Sequence, residues 1–242
     1  MLRGELLLLP TPISESEVPG EILAPAIKEA VLRAKILFVE HPKTVRRLIK
    51  KFDSSAEIDS FQWIEIGKRK DREEIEAALL SVAQGSCAAV LSEAGMPCIG
   101  DPGFEIVEEA HQMGIKVVPY PGPNSFLMAL MASGFSGQAF TFHGYVPLKD
   151  PLRGKKIQDW EKRALQSGAP QIFMETPYRN NTLLRDLLST CGRSTMLSIS
   201  CDLMGKEEKV ITANIGEWKT MDIDLPKLPA VFILGRESRR KG

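Results

Sequence analysis

The sequence has no excess of charge of either sign: Lys+Arg and Asp+Glu each total 31 in 242 residues, for a formal net charge of zero. That balance excludes nucleic-acid binding driven by charge over the whole surface and leaves only local basic patches. Paired cysteines are missing too. Cys87, Cys98, Cys191 and Cys201 stand apart without a CxxC pair, so neither a zinc site nor a disulfide framework is indicated. His41, His111 and His143 add no ligand spacing, and no metal is expected. Long apolar runs are absent: the run from Leu6 to Leu9 has Arg3 and Glu5 beside it and ends at Pro10. It is too short for a signal-peptide core or a membrane span, and the expected compartment is the cytoplasm. The loop after that run, Pro10-Thr11-Pro12-Ile13-Ser14, lacks the glycines of a dinucleotide fingerprint, which removes NAD binding by that route.

What is present is an ordinary core, with 43% hydrophobic residues, and one unusual stretch from Val90 to Ser125. Cys87 to Leu91 is a continuous apolar run bounded by Gly85 and Gly95, the pattern of a strand buried on both faces of a parallel sheet. Ser92 to Pro97 and Gly100 to Gly103 then read as loops at the carboxyl end of that strand. Asp101 followed by Pro102 reads as a helix start, cap then N1 proline, for a helix from Gly103 to Met113. Ile115 to Val118 is the next strand. Two strand ends so close in sequence mark a pocket in an open parallel sheet. Taken singly, Gly95 serves a left-handed turn, and Asp101 a cap, as readily as either serves a ligand.

The rest of the chain fits the same scheme. Gly4 to Leu9 is a strand, and apolar residues from Ile22 to Ala34 recur at helical spacing. Ile36 to Val39 is the second strand, with the polar cluster Glu40-His41-Pro42-Lys43-Thr44 at its end. A basic helix, Thr44 to Phe52, carries Arg46, Arg47, Lys50 and Lys51. Phe61 to Ile66 reads as a strand and Asp71 to Ala83 as a helix with capping-box spacing to Glu74. The Pro119 to Pro123 segment is the natural boundary, so the expected domains are residues 1–118, a linker 119–123 and residues 124–242. The second half reads as a helix from Asn124 to Ala132, a strand from Phe140 to Val146, a basic loop from Pro147 to Lys156 and a helix from Ile157 to Gln166. Gln171 to Met174 is a strand and Asn180 to Ser189 a helix. Further strands lie near Met196 to Cys201, Lys209 to Ala213 and Ala230 to Leu234, the first two as a hairpin around Gly205. A basic tail from Arg236 is expected to be disordered. The predicted fold class is therefore α/β in two domains: a mainly parallel five-stranded sheet with helices on both faces, then a mixed sheet with helices.

Five segments carry a family resemblance: LLLPTPIS at Leu7 to Ser14, LSEAGMPCIGDPG at Leu91 to Gly103, VVPYPGPNS at Val117 to Ser125, METPYR at Met174 to Arg179 and LPAVFILGRE at Leu228 to Glu237. Together they resemble the tetrapyrrole methylase superfamily, the class III S-adenosylmethionine-dependent methyltransferases, nearest to the branch that methylates a ribose 2′-hydroxyl in bacterial small-subunit ribosomal RNA. The resemblance implies a homodimer with S-adenosylmethionine in a cleft between the two domains. By position, Pro10, Pro12, Ile13, Gly95, Met96, Cys98, Asn124, Ser125, Phe126, Met174 and Pro229 would line the cofactor. A sulfonium cofactor is recognised by shape and backbone hydrogen bonds more than by charge, and the start of the Ser125 helix offers free N–H groups to its carboxylate.

This chain departs from the ribosomal RNA branch in four places. It has Glu40-His41-Pro42-Lys43 for Glu-Asp-Thr-Arg, Ile64-Glu65-Ile66-Gly67-Lys68 for a His-Asn-bearing segment, Ser92-Glu93-Ala94-Gly95 for Ser-Asp-Ala-Gly, and Lys227-Leu228-Pro229-Ala230 for Lys-Gly-Glu. These departures fall on the acceptor side. The expected function is direct methyl transfer to RNA, with Glu93, Glu40 and Glu175 as candidates to take the acceptor proton. The alternatives are methylation of a tetrapyrrole or other small molecule, and an RNA-binding relative with altered catalysis. If the acceptor is RNA, its contacts fall on Arg46, Arg47, Lys50 and Lys51 and on Arg153, Lys155 and Lys156.

Overall fold

Continuous apolar strands govern the first half of the chain. In a computed structural model, which describes residues 4–14, 19–67, 71–148 and 152–237, the chain divides into two compact units between Asn124 and Ser125. The first unit runs β1 (Glu5–Leu9), α1 (Pro19–Ile22), α2 (Pro25–Arg33), β2 (Ile36–Val39), α3 (Pro42–Phe52), β3 (Gln62–Glu65), α4 (Arg72–Ala83), β4 (Cys87–Leu91), α5 (Phe104–Gln112) and β5 (Lys116–Pro119). All its strands pair in parallel, in the order β3-β2-β4-β1-β5.

Side-chain alternation divides the core of this sheet in two. Leu6, Phe38, Ala88 and Val90 face α4 and α5, while Leu7, Leu37, Val39, Ala89 and Leu91 face α2 and α3. Both faces are covered, which explains why these strands lack polar alternation. The helices after β1 and β2 thus cover one face and the helix after β4 the other. Since β1 and β4 are neighbours, the chain leaves this pair in opposite directions, and a topological switch point falls at their carboxyl ends.

Several boundaries differ from the sequence expectation. The helix expected through Ala34 is broken at Leu23 and Ala24, because Pro25 has no N–H to continue the α1 ladder and instead opens α2 at its first turn. The cap of α5 is Gly103 with φ of 115°, not Asp101. Asp71 does cap α4, accepting from the N–H groups of Glu73 and Glu74. Pro119 lies within β5, an edge strand where a missing donor is tolerated.

The second unit runs α6 (Ser125–Ser133), β6 (Thr141–Tyr145), α7 (Leu152–Ser167), β7 (Gln171–Glu175), α8 (Asn180–Thr190), β8 (Met196–Cys201), β9 (Lys209–Asn214), α9 (Ile215–Trp218) and β10 (Ala230–Gly235). Its five-stranded sheet has the order β6-β7-β10-β8-β9, parallel only at β6 and β7. One face packs Phe173, Leu197, Phe232 and Leu234 against α7 and α8; the other packs Ile172, Val231 and Ile233 against α6. β8 and β9 form the expected hairpin. Residues from Leu152 to Lys156, expected in a loop, are the first turns of α7. The short α9 is not among the expected elements, although Asn214 and Glu217 form a capping box at its start. The tail beyond Glu237, expected to be disordered, and Lys68 lie outside the described residues.

Candidate functional site

The loops after β1 and β4 leave the carboxyl edge of the first sheet side by side and are tied together at the switch point. The Thr11 N–H donates to the Gly95 carbonyl at 2.9 Å, and the Gly95 N–H donates back to the Thr11 carbonyl at 3.1 Å. The Ser92 hydroxyl also donates to the Gly95 carbonyl, at 3.0 Å. Both backbone groups of Gly95 are therefore engaged within the protein. What Gly95 contributes is shape: its φ is +79°, and a Cβ there would meet the Pro123 carbonyl oxygen at 3.1 Å and the Ile13 side chain at 3.2 Å. A second close approach joins the loops after β1 and β5, since a Cβ on Gly122 would overlap Pro10 at 2.2 Å. Pro10, Ile13, Gly95, Gly122 and Pro123 thus form one closely packed ridge along the sheet edge.

Beside this ridge lies an open cavity of about 390 Å³ lined by Thr11 to Ser14, Thr44, Arg47, Leu48, Lys51, Glu93 and Ala94. Glu93 is exposed there and accepts a hydrogen bond from the Thr44 hydroxyl at 3.3 Å. Behind it stand two half-buried carboxylates. Burial, then the charge of Glu93, pushes the Glu40 carboxyl up, against a hydrogen bond from the Glu93 backbone. Its Oε1 is buried without a hydrogen-bond partner among the described residues. Asp101 is pushed up to about 6, first by burial and then by Glu40 and Glu93. Glu40 and Asp101 therefore sit in the field of Glu93 and of each other, a setting that favours their protonated forms. Cys98, in a left-handed conformation with φ of 67°, is held by burial and by Asp101 as a neutral thiol, up to about 11. It is no nucleophile at neutral pH. Met96 is half-buried in the same loop.

In the second unit Glu175 ends β7 and is 2% exposed. Burial raises its carboxyl, but hydrogen bonds from Arg179 and from the Thr176 backbone prevail and hold it below the usual range. Arg179 Nη2 and the Thr176 N–H each lie 2.6 Å from Oε1. Such a carboxylate is a poor proton acceptor. Phe126, in the first turn of α6, stacks on Phe142 with centroids 4.1 Å apart, and Met174 packs into the same cluster. Pro229 is exposed, and its carbonyl accepts from the Asp202 N–H. Asn124 is buried and Ser125 begins α6.

The structure brings Ile13, Pro12, Gly95 and Glu93 together in the first unit, with Glu40 and Asp101 behind Glu93. The sequence marks Asp101 only as a helix cap. The signal that singles it out is its place between two glycines at a strand's carboxyl end. Arg153, grouped with the exposed cations by its sequence, is 6% exposed and paired with Asp186, so it is no free phosphate contact.

A parallel sheet whose switch-point loops hold a carboxylate-lined cavity, followed by a mixed second sheet, defines an α/β enzyme of the open-sheet, ligand-binding class. Residues 21–219 match the family Tetrapyrrole (Corrin/Porphyrin) Methylases, and the chain belongs to that family. A relative named ribosomal RNA small subunit methyltransferase I from Thermotoga maritima is 31% identical over 189 residues, covering 78% of this chain and 79% of the relative. One of the same name from Escherichia coli O157:H7 is 27% identical over 99% of this chain and 76% of its own length. Among solved structures, the methyltransferase CobJ aligns with a TM-score of 0.61 at 17% identity, covering 98% of this chain and 95% of CobJ. The uroporphyrin-III C-methyltransferase of Thermus thermophilus complexed with S-adenyl homocysteine aligns at 0.54 and 18% identity, covering 96% of this chain and 97% of that one. Both likenesses concern the fold.

Proposed function

We propose that this protein is an S-adenosylmethionine-dependent methyltransferase acting on small-subunit ribosomal RNA, with a ribose 2′-hydroxyl as the atom methylated. The names of the relatives support the RNA class. The observation that carries the chemistry is the cavity at the switch point, where Glu93 is exposed beside Thr44 with Glu40 and Asp101 behind it.

The first-unit ridge suits S-adenosylmethionine because its glycines and prolines give a close, unbranched backbone surface, as a sulfonium ligand requires. Pro10, Pro12, Ile13, Gly95, Met96, Cys98 and Asn124 are the first-unit residues assigned to hold it; Ser125, Phe126, Met174 and Pro229 are those of the second. The Ser125 start of α6, nine residues long, presents N–H groups to the carboxylate of the methionine moiety. When bound, S-adenosylmethionine supplies a methyl group activated by its positive sulfur. The chain's own residues supply alignment and a proton acceptor. Glu93 takes the proton of the acceptor hydroxyl, Thr44 orients the Glu93 carboxylate, and the half-buried Asp101 and Glu40 stand close enough to act on its charge. General-base assistance of this kind contributes roughly 10² to 10⁴ in rate. Glu175, already bound to Arg179, holds the turn after β7 in place rather than taking the proton.

A homodimer in the cytoplasm completes the reading. Among the described helices none is long and apolar enough to cross a membrane. Leu127 and Met131, 36% and 83% exposed one turn apart on α6, are apolar surface suited to a second copy. Light scattering of the purified chain checks the dimer. Incubation with labelled S-adenosylmethionine and unmethylated small subunits tests the activity: label at a ribose 2′-oxygen is expected. Label on a base or in small molecules only would contradict it.

A further inference from the structure

We propose that Arg47 and Lys51 form a phosphate-binding wall that seats the RNA backbone next to the acceptor ribose, an inference that rests on the RNA reading above. Helix α3 carries five cations beside its buried Val45, Leu48 and Ile49; Lys43 lies in the first turn, and the structure separates the other four into two pairs. Arg46 lies over the Trp63 ring, its Cζ 5.0 Å from the centroid. Lys50 donates to the Ser54 carbonyl at 2.9 Å, closing the helix end. These two cations are engaged within their own unit. Arg47 and Lys51 are exposed, and neither has an ion pair among the described residues.

Thr44, Arg47, Leu48 and Lys51 follow the i, i+3, i+4, i+7 spacing, which puts them on one helix face, and all four line the cavity that Glu93 enters. Two uncommitted cations and one carboxylate therefore share a single open pocket. That combination matches a nucleotide, in which the 2′-hydroxyl neighbours the 3′-phosphodiester on the same ribose. Glu93 and Thr44 would meet the hydroxyl, and the guanidinium and ammonium the phosphate oxygens. A charge-neutral protein can in this way bind a polyanion through a short, directed patch.

The test compares two double variants with equal loss of charge, R47Q/K51Q and R46Q/K50Q. RNA binding is measured by filter retention over a range of salt with small-subunit RNA, and S-adenosylmethionine affinity by calorimetry. R47Q/K51Q is expected to weaken RNA binding by about tenfold or more at low salt and to flatten the salt slope by about 0.7 to 0.9 units for each phosphate that is no longer neutralised. Cofactor affinity stays unchanged, and R46Q/K50Q alters RNA binding by less than about threefold. Equal weakening by both variants, or an unchanged slope in R47Q/K51Q, overturns the wall and leaves the methyltransferase reading intact. Failure of the unmodified protein to bind or methylate this RNA overturns both.

Discussion

The two units place carboxylates at comparable positions, at or just past the end of a buried strand, and treat them in opposite ways. Glu175 ends β7 after the core residues Ile172 and Phe173 and is met at once by Arg179 and the Thr176 N–H. Glu40 and Glu93 follow β2 and β4, with Asp101 further along the β4 loop, and they meet chiefly one another. Burial alone raises a carboxyl in both places. The difference lies in the partner: a guanidinium four residues on turns a carboxylate into a fixed structural anion, whereas like charges favour the protonated form. A strand-end glutamate is thus not by itself evidence of catalysis.

The largest effect on the fold is expected where the switch-point loops are packed. Gly95→Val should cost roughly 2 to 4 kcal/mol in urea unfolding, because a β-branched residue would be forced to positive φ against Pro123 and Ile13. Steric logic from sequence alone places the damage mainly in cofactor binding; the observed neighbours place it in the fold as well. Stability equal to that of the unmodified protein would remove the ridge from the account.

Next comes the paired carboxylate. Glu175→Gln should destabilise by about 2 kcal/mol at pH 7, since it weakens a charge-assisted hydrogen bond at a buried position. The folded-state carboxyl is depressed, so its stabilisation is present above the unfolded value and is lost as pH falls through the folded value. The variant's deficit should accordingly shrink in acid. A deficit that persists unchanged at pH 3 would contradict the pairing.

Asp101 should behave in the opposite sense. Its folded carboxyl is raised from 3.8 to about 6, so wild-type stability falls as pH rises between those values, and Asp101→Asn should be the more stable protein at pH 8, by about 1 to 3 kcal/mol. The methyl-transfer rate should climb through about pH 6 in the unmodified protein, as Asp101 ionises near Glu93. Asp101→Asn should shift that rise. An identical profile in the variant would detach Asp101 from the site.

Much of the fold is legible in the sequence because the first sheet is covered on both faces: β2 and β4 stand out as unbroken apolar runs between turn residues, and their bounds coincide with the structure. Sequence and structure part where a neighbour distant in the chain decides. Asp101 before Pro102 has the form of a helix cap, but Gly103 takes that position at the point where the loop turns against Val90 and Cys98. Arg153 looks like one more cation in a basic segment until α8 brings Asp186 to it. The Glu175 pair is readable in principle, since Arg179 follows at i+4 in METPYR. The separate settings of Arg46 and Arg47, adjacent in sequence, are not, because only the position of Trp63 distinguishes them.

The contrast between the two carboxylate settings is tested most directly by initial rates of methyl transfer to small-subunit RNA for Glu93→Gln and Glu175→Gln, each assayed at a temperature where it is folded. Glu93→Gln should lose about a hundredfold or more in rate, with Glu175→Gln within about threefold of the unmodified protein. A Glu93→Gln enzyme of normal rate, or a Glu175→Gln enzyme as impaired as Glu93→Gln is expected to be, would contradict it.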